Sequence, residues 1–231
     1  MSQIYKQYQN EWMYTACDIM PKELIDGMYN AYMEQYNKGR GILGKSPPML
    51  GKAIEFRGKH MEETPAFKKA EAFLTNWLQE NMGMRTVPTY NMGRIYTEET
   101  TGMFAHQDRV PCEVSVTLPI AYDNTPWAIN VEDSSGTINN CLLHVGDVLF
   151  YYGCKARHHR GNNSLNKFHI QHYFHYADLD SELGSFYNYW RQDGDLWPET
   201  LDKMISRGSL PLMSEEDKIR YSKQIGEEYN V

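Results

Sequence analysis

The chain has no apolar run approaching the ~18 residues needed to span a bilayer. It has no block of more than two consecutive Lys or Arg, and only four cysteines in 231 residues. Each shortage excludes something. A membrane-spanning helix is not expected. With a net charge of −7, a pI near 5.6 and no basic cluster, the electrostatic footprint of a nucleic-acid-binding protein is missing, so nucleic acid is not an expected partner. Cys17, Cys112, Cys141 and Cys154 show neither CxxC nor tight metal-ligand spacing, and Cys112 and Cys154 read as small buried hydrophobes. The segment from Met1 to Asn10 is polar and lacks the apolar core of a signal peptide. The expected setting is reduced and cytoplasmic. Internal repeats and low-complexity tracts are also lacking.

What is present suits one globular domain over residues 1–231, with 41% apolar and 13% aromatic residues. Residues 1–86 read as a helical flank. Apolar residues recur at helical spacing between Pro21 and Tyr36, and Phe67, Ala70, Phe73, Leu74, Trp77 and Leu78 form one stripe between Thr64 and Met82. Between them, residues 38–60 hold Gly39, Gly41, Gly44, Pro47, Pro48, Gly51 and Gly58. This segment reads as a long irregular loop, a candidate lid. Residues 87–178 carry strand texture in seven or so short runs, which points to a closed or double-layered β core. Residues 179–231 return to helical texture, weakly at Leu183 to Arg191 and more clearly from Ser214, where Ser-Glu-Glu-Asp reads as a capping box.

Gly39 to Ser46 matches the phosphate-loop pattern GxxxxGKS letter for letter. Such a loop follows a buried strand and runs straight into a helix whose N-terminal amides complete the anion cradle. Here a helix precedes the motif, and Pro47-Pro48 pushes the following chain toward extended geometry. Nucleotide hydrolysis is not expected.

The chemistry-bearing pattern is His106-Gln107-Asp108, followed 52 positions later by His158. Residues i and i+2 of a strand share a face, roughly 6–7 Å apart. Two histidines and one carboxylate can therefore occupy one face of an octahedral metal and leave three positions open, as in non-haem iron sites. His159 is adjacent to His158 and would face the other way, so one of the two is the ligand. Arg109, directly after the carboxylate, would stand at the pocket mouth and could hold a substrate carboxylate or peptide carbonyl. Cys112 to Leu118 alternates strictly, giving one apolar face and one polar face able to line a pocket. Trp127 reads as core.

On these residues, together with Gly146-Asp147 before a hydrophobic strand and a basic residue nine positions after His158 at Lys167, the chain resembles the iron(II)- and 2-oxoglutarate-dependent dioxygenases, in their prolyl-hydroxylase-like branch. The resemblance covers about Thr89 to Asp178. It implies an α+β chain with a mainly β core, a double-stranded β-helix (jelly roll, cupin-like) flanked by N- and C-terminal helices. It implies Fe(II) held by His106, Asp108 and His158, with 2-oxoglutarate as co-substrate and dioxygen as oxidant. The expected reaction is hydroxylation of an aliphatic C–H of an amino acid, peptide or small metabolite, with release of succinate and CO2. It also implies that Tyr96, ten residues before the first histidine, bonds the remote carboxylate of 2-oxoglutarate. The cation for that carboxylate is Lys167 by offset, with Arg94 and Arg160 as competitors. The competing reading is a cupin-like metalloprotein, either an isomerase or an inactive binding module.

Overall fold

The strand with the strictest alternation sits at the centre of the molecule. In a computed structural model, which describes residues 2–44, 49–57, 61, 64–108, 110–161 and 167–181, ten strands form one antiparallel sheet that curls over on itself. They are β1 (Met13–Ala16), β2 (Ile42–Gly44), β3 (Met49–Arg57), β4 (Thr86–His106), β5 (Val114–Tyr122), β6 (Ile129–Glu132), β7 (Ile138–Cys141), β8 (Val148–Tyr152), β9 (His158–Arg160) and β10 (Phe168–Asp178). The order is β1-β8-β5-β10-β4-β9-β6-β7, with the β2–β3 hairpin attached to β4. β5 lies between β8 and β10 and is covered on both faces. Its apolar face (Val114, Val116, Leu118) packs outward under helices, and its polar face (Ser115, Thr117) turns into the barrel.

β4 makes the fold close. Its first half, Thr86 to Thr97, pairs with β10, and its last residues, Met103 to His106, pair with β9. Interruptions in register between Leu50 and Ala53 on the partner strand mark where it bends from one layer to the other. Beyond the bend, Ile129 and Val131 of β6 pack across the interior on Leu149 and Tyr151 of β8. The result is a nearly closed, two-layered β barrel.

Three helices flank it. α1 (Gln3–Glu11) begins at Ser2, whose hydroxyl accepts a hydrogen bond from the Tyr5 amide. α2 (Lys22–Asn37) and α3 (Pro65–Trp77, extended by a π-turn to Met82) lay Met28, Tyr32, Phe67, Ala70 and Leu74 against Val116, Leu118, Ile170 and Phe174 of the sheet. Among the described residues no helix is long and apolar enough to cross a membrane. The helical texture read beyond Leu183 lies outside the described residues.

The structure corrects the reading of residues 38–60 as a loop and lid. Ile42–Gly44 and Met49–Arg57 form a hairpin, and β3 is a full neighbour of β4. Gly41 and Gly51 mislead because they answer to crowding instead of looping. Gly51 has φ +91, and a Cβ there would stand 1.9 Å from the Glu99 carbonyl oxygen. The phosphate-loop letters also resolve: Ile42–Gly44 is strand, and the described chain resumes at Met49 as strand again. Gly146-Asp147 is a turn staple, in which the Asp147 carboxylate accepts the amides of Asp18 and His144.

Candidate metal centre

His106 ends β4, His158 begins β9, and the two are direct cross-strand partners. Their rings lie 4.2 Å apart between centroids. Each ring is oriented by the backbone: His106 Nδ1 is 2.8 Å from the Phe104 carbonyl and His158 Nδ1 is 3.0 Å from that of Ala156. Those acceptors fix the Nδ1–H tautomer and leave both Nε2 lone pairs inward. Asp108 lies just past β4, where its amide donates to the Gly153 carbonyl at 2.8 Å. Its Oδ1 stands 3.6 Å from both Nε2 atoms. Neighbouring ligands of an octahedral ion with ~2.1 Å bonds stand about 3 Å apart, so a small inward adjustment of these three atoms accommodates one. Their mutual fit extends to a first-row divalent metal, and a two-imidazole, one-carboxylate donor set suits iron(II).

The electrostatics keep the set ready to ligate. Burial, reinforced by His158, pushes the His106 imidazole down to about 3, so it is neutral at physiological pH. Burial opposes ionisation of Asp108, but His158, His106, His175 and the Ser115 hydrogen bond together hold its carboxyl below the ordinary range. Of the adjacent histidines, His158 is buried against Asp108, while His159, on the alternate face, pairs through its backbone with Asn130.

Next to the triad is an enclosed aromatic wall. Tyr96 meets Trp127 edge to face at 5.0 Å, and His169 lies against both. Arg160, two residues after His158 and equally buried, places its guanidinium carbon 5.0 Å over the Trp127 ring and donates Nη1–H to the Trp127 carbonyl. Its Nε is buried with no hydrogen-bond partner. Arg94 is also buried, but Glu55 already neutralises it through bonds of 3.1 and 3.0 Å. Tyr96 and Tyr173 share a hydroxyl–hydroxyl contact of 2.5 Å. Lys167 stands exposed one residue before β10. Arg109 lies outside the described residues.

Three contributors escaped sequence reasoning. Gly153 is one: a Cβ there would meet Asp108 Oδ2 at 2.7 Å and Ser115 Oγ at 2.3 Å. His169 is another, held neutral at about 4 by burial and by Arg160. Ser115 is the third, and its place on the polar face of an alternating strand was its one sequence signal.

No family model matches the sequence, and no curated protein does. Solved structures share the architecture. The non-heme alpha-ketoglutarate-dependent epimerase SnoN from nogalamycin biosynthesis superposes with a TM-score of 0.64 at 9% identity, over 76% of this chain and 80% of its own. A prolyl hydroxylase from Trichoplax adhaerens, in complex with a hypoxia-inducible-factor peptide, gives 0.63 at 10% identity over 79% and 90%. HygX from Streptomyces hygroscopicus, with nickel, 2-oxoglutarate and hygromycin B bound, gives 0.58 at 9% over 78% and 88%. The fold is that of the 2-oxoglutarate-dependent enzymes. Within this jelly-roll fold the chemistry is decided by the side chains just described, because one scaffold hosts several reactions.

Proposed function

We propose that the protein is an Fe(II)- and 2-oxoglutarate-dependent dioxygenase that hydroxylates an aliphatic C–H of an amino acid, peptide or small metabolite, releasing succinate and CO2. The observation that carries this reading is a buried guanidinium without a carboxylate partner among the described residues, two positions along the strand from His158. Leaving such a charge unpaired in an enclosed space is costly, so the site is built for an anion beside the metal position.

In this reading His106, Asp108 and His158 hold the iron. Arg160 takes the remote carboxylate of 2-oxoglutarate, and Tyr96 bonds the same group. Arg94 acts indirectly, since Glu55 neutralises its guanidinium, which lies 5.9 Å over the ring of Tyr173, the hydroxyl partner of Tyr96. Trp127, Tyr96 and His169 exclude water from the bound anion, which strengthens every hydrogen bond made to it. Arg109, next in sequence to Asp108, is the proposed substrate contact. The bound metal and keto acid supply the oxidising chemistry; the protein supplies orientation and dryness.

Anaerobic addition of Fe(II) and 2-oxoglutarate is expected to produce a weak visible charge-transfer band, followed on aeration by succinate. Isomerisation on a cupin-like metal site, or an inactive binding module, gives neither. A purified protein that binds metal but shows no band and releases no succinate with amino acids, proline-containing peptides or metabolites sinks the proposal.

A further inference from the structure

Behind the metal carboxylate, on the side away from the two imidazoles, stands a short polar relay that the proposed reaction does not itself require. Ser115 Oγ lies 2.9 Å from Asp108 Oδ2, and the same oxygen lies 3.1 Å from His175 Nδ1. All three positions are set by the sheet. Ser115 of β5 and His175 of β10 are direct cross-strand partners, and His175 pairs on its other side with Tyr90 of β4, whose ring lies 4.5 Å from its own. Ser115 is fully buried and His175 nearly so.

A serine hydroxyl has one hydrogen. The acceptors within reach are the Asp108 carboxylate at 2.9 Å, the His175 Nδ1 at 3.1 Å in its other tautomer and the Cys112 carbonyl at 3.2 Å. The charged and nearer acceptor takes it. Ser115 Oγ is then an acceptor toward His175, which must present Nδ1–H, and the relay runs in one direction: His175 Nδ1–H to Ser115 Oγ–H to Asp108 Oδ2. Serine, not histidine, is the middle member and it is inaccessible, so the arrangement is not that of a hydrolytic triad, where histidine bridges serine and carboxylate.

We infer that Ser115 and His175 are positioning residues that hold Asp108 to a single ligating oxygen. With Oδ2 tied back by Ser115, only Oδ1 is offered to the metal, in line with its equal 3.6 Å separation from the two Nε2 atoms. A carboxylate free to swing would chelate through both oxygens and occupy a coordination position that 2-oxoglutarate and dioxygen require. Gly153 closes the third side of this clamp, since its missing Cβ leaves the space that Oδ2 and Ser115 Oγ fill.

The inference rests on the metal-site reading above, and the experiment separates the two. Co(II) is titrated into the metal-free protein, with affinity and the visible d–d spectrum, which reports coordination number, as readouts. Ser115→Ala and His175→Leu are expected to weaken Co(II) binding roughly 10–100-fold, the range for partners of metal ligands, and to alter the spectrum. His175→Asn, which keeps a donor at the Nδ1 position, is expected to restore most of the affinity. Ser115→Cys, nearly isosteric but a poor donor, carries the test if the alanine variant does not fold. Wild-type affinity and spectrum in folded Ser115→Ala or Ser115→Cys overturn the relay while leaving the metal site standing. Failure of the wild-type protein to bind Co(II) overturns both.

Discussion

Gly153 shows how little tolerance the metal carboxylate has. Its carbonyl receives the Asp108 amide, and the absence of a side chain makes room for Oδ2. Gly153→Ala is expected to destabilise the fold by about 1–3 kcal/mol, the usual penalty of overpacking, and to weaken metal binding. Denaturant melts and a metal titration check this, and an alanine variant with unchanged affinity contradicts the packing argument. His106→Ala and Asp108→Ala are expected to abolish Fe(II) binding and succinate formation with the circular dichroism of the wild type; full turnover in either removes that residue from the site. Arg160→Met is expected to weaken 2-oxoglutarate binding at least tenfold while leaving iron affinity near wild type, since a charge-assisted bond to a buried carboxylate is worth about 1.5–3 kcal/mol. Lys167→Ala is expected to change neither, and the reverse pattern in a calorimetric titration returns the carboxylate to Lys167.

At the scale of elements, the strands of the β core were readable because their alternation is strong. Ser115 and Thr117 could be assigned to an inward polar face from Cys112 to Leu118 alone, and His106 and Asp108 to one site from their spacing. Much of the rest was hidden for physical reasons. α1 has the sequence Gln-Ile-Tyr-Lys-Gln-Tyr-Gln-Asn-Glu and buries only Tyr8, so its apolar stripe is nearly absent. The β2–β3 hairpin was disguised by Gly41 and Gly51, residues that signal turns in most contexts but here serve close approach of chains. The choice among Lys167, Arg94 and Arg160 rested on linear offset, whereas the proposal of Arg160 rests on burial and pairing: Lys167 is exposed, Arg94 is matched by Glu55, and Arg160 is enclosed with no carboxylate partner among the described residues. Gly51→Ala is expected to loosen the hairpin from β4, because the left-handed backbone and the Glu99 carbonyl both forbid a Cβ. Faster amide exchange in β3 with unchanged protection in β5 and β10 is the expected signature, and uniform protection throughout rules it out.

Across the whole molecule, buried imidazoles dominate the response to acid. His106 is held down at about 3, His172 at about 3 and His169 at about 4, in each case mainly by burial. A histidine depressed in the folded state takes its proton only on unfolding, so between roughly pH 6.5 and 4 the unfolded chain binds more protons and stability falls as pH falls. Glu113, raised to about 7 by burial, and Asp178, also raised by burial, work in the opposite direction, since their native forms keep protons that the unfolded chain loses. Three imidazoles outweigh two carboxyls. Each proton of difference is worth about 1.4 kcal/mol per pH unit, so the metal-free protein is expected to lose urea resistance steadily from pH 6.5 to pH 4. A midpoint that stays level or rises across that interval contradicts the balance.

One continuous strand carries Arg94 and Tyr96 in one layer and His106 in the other. The distance from Arg94 and Tyr96 to His106 is therefore metered by the count of residues through the bend, not by how two separate pieces dock. Slippage of a single residue between Thr97 and Gly102 would turn His106 away from His158 and carry Met103 off Arg160, so that one insertion or deletion in the bend would undo both pairings at once while leaving the pairing of Tyr96 with His169 in place.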